Sequence, residues 1–279
     1  MTLYQIGLTS LKRRGSRLLV GNGKYIYSVV QDWAKLPKGE TFGALTDVAT
    51  DSRDRVYVFQ RKDPPILVFD RDGHYLGSWG NGAFNRGHGM SIVNDVVYLT
   101  DSDDSVVLIY TLEGRPLQVI GRRGVHSDTG TEKYGGLVLR AAGPFNHPTK
   151  LFPAPWGDLY VTDGERNCRV HRFSGDGKLL ASWGEPGKVE PNQFHFPHSI
   201  WVDGDGRLYV CDRENSRIHV MSADGEPITM WTDVRQPTDI RADGAGVFYV
   251  SQFAWNVTPR YAGYPLPAGN GSALMGPNG

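Results

Sequence analysis

The 279-residue chain sets 30 lysines and arginines against 30 aspartates and glutamates. Zero net charge argues against nucleic acid or an anionic membrane surface as a partner, since both are held by a basic face. Its 35 glycines, 17 prolines, 13 tyrosines and 7 tryptophans suit a turn-rich soluble β architecture, and no apolar run approaches the roughly 18 residues needed to cross a bilayer.

The N-terminal stretch MTLYQIGLTSLKRRG has neither the apolar stretch nor the cleavage site of a secretory signal, so a cytoplasmic location is expected. Cys168 and Cys211 lack metal-site spacing. They read as two reduced, packed thiols, with a mutual disulfide as the alternative. Residues 1–24 form an N-terminal segment, and the first expected strand is Tyr25–Val30. Such a strand commonly completes the last blade of a closed ring, and that role is expected here.

A strand motif then recurs five times: Val56–Phe59, Val97–Thr100, Leu159–Thr162, Leu208–Cys211 and Phe248–Ser251. The spacing of roughly 40 to 60 residues is that of propeller blades. A third strand follows in four of the repeats. Each of those strands ends in a turn: Asp70–Gly73, Thr111–Gly114, Ser174–Gly177 and Ser222–Gly225. No segment shows a sustained 3.6-residue period. The pattern predicts an all-β propeller over residues 25–255 and a Gly/Pro-rich tail over 256–279. The tail shows no clear strand pair, so either it completes the ring irregularly or the chain stops short of a final blade. The longest insertion, Arg122 to Pro144, reads as a surface loop, with a lid as the sharper alternative.

His88 and His198 occupy the same point of the second and fourth repeats, where the first, third and fifth hold Thr46, Thr149 and Thr238. Innermost strands line a propeller's channel, so these positions converge, and two imidazoles there suit a shared zinc. Taken singly, each histidine reads as well as a polar turn residue. Arg61 and Arg213 follow second strands at the channel mouth, where a guanidinium can clamp a carboxylate; a surface ion pair is the plainer reading. Asp101, Asp163 and Asp212 recur at one position and read as scaffold, as do Asn167, Asn215, Arg169 and Arg217. Trp79, Trp183 and Trp231 end their blades and are expected to pack between them.

The stretches Phe196–Ile200 and Asp212–Ile218, with Arg86–Ile92 and Phe59–Asp63, resemble NHL-repeat propellers. More narrowly they are similar to peptidyl-α-hydroxyglycine α-amidating lyases. The resemblance covers roughly residues 25 to 252. It implies a six-bladed ring, with the last blade irregular or incomplete in this chain, and a zinc held by three histidines. It also implies cleavage of the C–N bond of an N-acyl-α-hydroxyglycine to an amide and glyoxylate. His88 and His198 match two zinc ligands, and Arg61 and Arg213 match active-site arginines. The family's third zinc histidine has no counterpart here, and its structural calcium lies beside that position. Where the family carries Asp-Gly-Tyr with a catalytic tyrosine, this chain reads Asp163-Gly164-Glu165, making Glu165 the candidate base. A carboxylate is a much weaker base than a phenolate. His147 is a candidate substitute ligand, out of register with the other two. The leading expectation is a zinc-dependent lyase acting on a small carboxylate-bearing substrate. A non-catalytic NHL interaction module and a calcium-dependent lactonase-like hydrolase are the alternatives.

Overall fold

The computed structural model describes residues 4–7, 12–14, 17–22, 25–131, 137–253 and 271–275. Four antiparallel four-stranded sheets follow one another in the chain. They run from Leu45–Thr50 to Tyr75–Trp79, from Gly87–Val93 to Pro116–Ile120, from Pro148–Pro153 to Leu179–Trp183, and from Pro197–Val202 to Pro227–Trp231. In each, neighbours along the chain are neighbours in the sheet, because short turns join them. Gly114, with φ of 83°, shows how a turn couples to the next layer: a Cβ there would lie 2.6 Å from the Trp79 ring. The expected role of the blade-end tryptophans is seen in the same place, with Trp79 against Tyr110 of the second sheet at 5.4 Å and Trp231 against Phe248 of the fifth at 5.0 Å.

The core is laid down between sheets rather than in one centre. Tyr57, Phe59, Met90 and Leu99 join the first and second sheets. Ile109, Leu151 and Val161 join the second and third. Tyr160, Ile200 and Val210 join the third and fourth, and Ile218, Ile240 and Val250 the fourth and fifth. Apolar faces buried against both neighbours are what a radial stack of twisted sheets requires. Both cysteines are free buried thiols, Cys168 in the third of these layers and Cys211 in the fourth.

The fifth sheet departs from the sequence expectation. Pro237–Ala242 and Phe248–Gln252 continue into Gly271–Met275 from the tail, and Tyr4–Gly7 takes the outer edge. The tail therefore contributes a strand. Tyr25–Val29 does not complete this sheet. It pairs with Arg17–Asn22, which pairs with Lys12–Arg14, in a separate three-stranded sheet. GSALM has weak strand propensity, and what recruits it is the row of unpaired backbone groups along Phe248–Gln252. Tyr27 touches the fifth sheet through its hydroxyl, 3.1 Å from that of Tyr249. Among the described residues no helix is long and apolar enough to cross a membrane.

Candidate active site at the channel mouth

Each innermost strand carries the same irregularity. Pairing jumps from Pro148 to Lys150, from Pro197 to Ser199, from Pro237 to Asp239 and from Leu45 to Asp47, leaving Thr149, His198, Thr238 and Thr46 as extra residues. In the second sheet the shift falls across His88 and Gly89. A β-bulge re-aims a side chain, so the positions matched by sequence are the five bulges at one end of the channel. Two of them present imidazoles, with ring centroids 4.9 Å apart.

Both rings are anchored through Nδ1. His88 Nδ1 donates to the Thr149 carbonyl at 2.9 Å, and His198 Nδ1 to the Thr238 carbonyl at 2.7 Å. A carbonyl can only accept, so each Nδ1 bears a proton, and Nε2 is the ring atom left to meet a ligand. Burial, reinforced by Arg213 and His88, pushes His198 well below the ordinary histidine value. It is neutral at physiological pH.

Glu165 stands third. A Cβ on Gly164 would lie 2.1 Å from the Pro197 carbonyl oxygen, so only glycine lets this loop close onto the fourth sheet. That approach brings Glu165 Oε1 to 3.4 Å from His88 Nε2, with both side chains buried. Burial alone would raise the Glu165 carboxyl, but the charge and hydrogen bond of His88, with Arg86 and His198, outweigh it and hold the group at about 2.

Arg213 opens a short 3-10 turn, Arg213–Asn215. Its guanidinium lies 3.8 Å over the Phe196 ring, which stacks on His198, and its Nε donates to Glu214 at 2.9 Å. Arg61 Nε donates to the Gly87 carbonyl at 3.1 Å, next to His88. The three other sequence candidates, Glu165, Arg61 and Arg213, thus gather around the two imidazoles. His147 does not join them. Its ring stacks on His126 and its Nε2 lies 3.6 Å from Asp103.

The recurring aspartates are scaffold, as their repetition implies. Asp212, fully buried, accepts from the His195 backbone N–H, Asn215, Arg217 and His219. Asp163 accepts from the Asn146 N–H, Asn167 and His171. Asp101 accepts from three backbone N–H groups.

Sequence reasoning missed the floor of the channel. A cavity of about 460 Å³ runs from the histidines to Asp47, Lys150 and Asp239. Lys150 is 2% exposed and pairs with Asp47 and, at 3.4 Å, with Asp239. Burial would raise Asp239, but Arg241 and Lys150 overcome it and lower the group. The available signal was simple. All three charged residues directly follow a threonine bulge, where the alternating strand turns the next side chain onto the axis.

The donor set fits zinc in kind, through two imidazoles anchored by Nδ1 with Nε2 as the ligand atom. It falls short in number: among the described residues no group of three or more His, Cys, Asp or Glu is arranged to hold a metal ion.

Sheet order, bulge geometry and paired histidines define an NHL-type β-propeller. The NHL repeat profile matches residues 194–221. The chain is 32% identical to NHL repeat-containing protein 3 of Homo sapiens, over 81% of this chain and 67% of that protein. It therefore belongs to the family of NHL repeat-containing proteins. It is also 25% identical to peptidyl-alpha-hydroxyglycine alpha-amidating lyase 2 of Drosophila melanogaster, over 82% of this chain and 60% of that protein. A solved gluconolactonase from Xanthomonas campestris matches with a TM-score of 0.59 at 16% identity, over 93% of this chain and 78% of that one. At that identity the likeness concerns the fold alone.

Proposed function

We propose that the channel mouth is a carbon–nitrogen lyase site of the amidating-lyase type, taking a small carbinolamide that carries a carboxylate. One observation carries the reading: two bulge histidines 4.9 Å apart, each with its Nδ1 proton engaged by a neighbouring blade's carbonyl. The relatedness to amidating lyases supports it. His88 and His198 would hold zinc, which when bound polarises the carbinol oxygen. The remaining work falls to the chain's own residues. Arg61 and Arg213 bring guanidinium groups to the mouth to hold the carboxylate and orient the breaking bond. Glu165, beside His88, is the carboxylate that accepts the carbinol proton. The C–N bond then breaks with its electron pair on nitrogen, nitrogen takes up a proton, and an amide and an α-oxo acid result.

Release of glyoxylate from N-benzoyl-α-hydroxyglycine tests this. Turnover by the wild-type chain is expected to fall at least about a hundredfold in His88→Ala and in Arg213→Ala. Release no faster than in buffer overturns the lyase reading. That outcome would favour a non-catalytic NHL module, the reading that the two-histidine count and the likeness to NHL repeat-containing protein 3 support.

A further inference from the structure

A second cavity, of about 290 Å³, lies beside the histidine pair and is separated from it by Glu165 and Phe196. Its walls come from four places. Phe194 and Phe196 lead into the fourth sheet, Cys168 directly precedes a strand of the third, Pro186–Lys188 lie between those two sheets in the chain, and Leu137–Leu139 arrive from the long insertion. The insertion is tied down there by hydrogen bonds from Leu139 and Arg140 to the Thr129 carbonyl and from Ala142 to Asn167. Val138 is buried, packed with Cys168 and Phe194 in the layer between the third and fourth sheets.

The space is mostly apolar, with Glu165, His195 and Lys188 as its acidic and basic lining residues. Glu165 is 7% exposed, and its Oε2 is buried without a hydrogen-bond partner; His195 Nδ1 is in the same condition. Both residues line this cavity. A buried carboxylate oxygen left without a hydrogen bond is destabilising, and the penalty is removed when a ligand N–H arrives. The surroundings also select the donor. Glu165 already faces His88, and Arg86 lies close enough to act on it. A neutral N–H therefore suits the site better than a second cation.

We propose that this cavity is a subsite for an apolar side chain carried beside an amide N–H, the N–H donating to Glu165 Oε2 and the side chain filling the space against Val138, Phe194 and Phe196. In the reaction proposed above, this is the residue acylating the carbinolamide nitrogen. The preference for a bulky apolar residue there rests on that reading, whereas the cavity's affinity does not. Glu165 then serves both compartments, one oxygen toward His88 and the other toward the acyl residue.

The test uses N-acetyl-phenylalaninamide and N-acetyl-alaninamide, which have the amide and side chain but no carboxylate, titrated calorimetrically against the full chain. The phenylalanine ligand is expected to bind about tenfold more tightly. Val138→Trp, which fills the cavity, is expected to remove that difference. Leu137→Glu, at a position exposed enough to leave folding intact, is expected to weaken it severalfold. Equal binding of the two ligands, absence of binding by both, or an undiminished preference in Val138→Trp overturns the subsite. Binding of the phenylalanine ligand without glyoxylate release from any carbinolamide sinks the lyase reading and leaves the subsite standing. Glyoxylate release at equal kcat/KM from acyl-alanyl and acyl-phenylalanyl carbinolamides does the reverse.

Discussion

The first and fourth sheets come from the same repeat, yet their innermost strands live in different surroundings. In the fourth, Pro197, Ser199, Ile200 and Val202 are buried, with layers of the third and fifth sheets on either side. In the first, Leu45 and Val48 stand 55% and 58% exposed, and a whole sheet, the second, packs on one side only, the other being covered by the Trp33–Phe42 segment. Strand pattern, bulge and turn are shared. A blade's stability is therefore set by its neighbours as much as by its own sequence, as expected where each repeat buries its faces only against the next.

Substitutions can break that comparison. Asp212→Ala in the fourth sheet removes the acceptor for Arg217, Asn215, His219 and a backbone N–H, and is expected to cost about 3–5 kcal/mol in urea unfolding. Ile200→Ala, at a fully buried position, is expected to cost about 2–5 kcal/mol. Val48→Ala, at the matching strand of the first sheet, is expected to cost under about 0.5 kcal/mol. A Val48 cost matching that of Ile200 would mean the two sheets are equally enclosed.

A smaller effect comes from His147, at the start of the third sheet. Burial, with Arg166 and His126, pushes it down to about 4 against the opposing pull of Glu165 and Asp103. Its unfolded value is near 6.5. Between these values the unfolded chain holds the extra proton, so stability falls as pH drops from about 6.5 to 4 and levels off below. The contribution is at most about 3 kcal/mol. His147→Asn keeps a residue tolerant of the positive φ of 64° and is expected to flatten that part of the stability–pH curve. An unchanged slope would assign the dependence to other groups.

Much of this was legible in the residues. The five recurrences of the second-strand motif, the turns ending in Gly73, Gly114, Gly177 and Gly225, and the blade-end tryptophans are local features that give the propeller. Repetition also separated scaffold from site. Asp101, Asp163 and Asp212 recur and hold turns, whereas His88, His198 and Glu165 break the pattern and meet at the mouth. What escaped was long-range. Tyr4–Gly7 meets Gly271–Met275 from the opposite end of the chain, a pairing no local pattern encodes. Nothing local marks Lys150, which gains its role only because the fold brings Asp47 and Asp239 to it. The insertion's part in the second cavity likewise depends on where Leu137–Leu139 land.

The most direct test of the paired histidines is the metal content of the chain purified without chelator. About one zinc per chain is expected, lost in the His88→Ala, His198→Ala double variant while the fold persists. Protein that carries no transition metal, or a double variant that keeps its zinc, would contradict it.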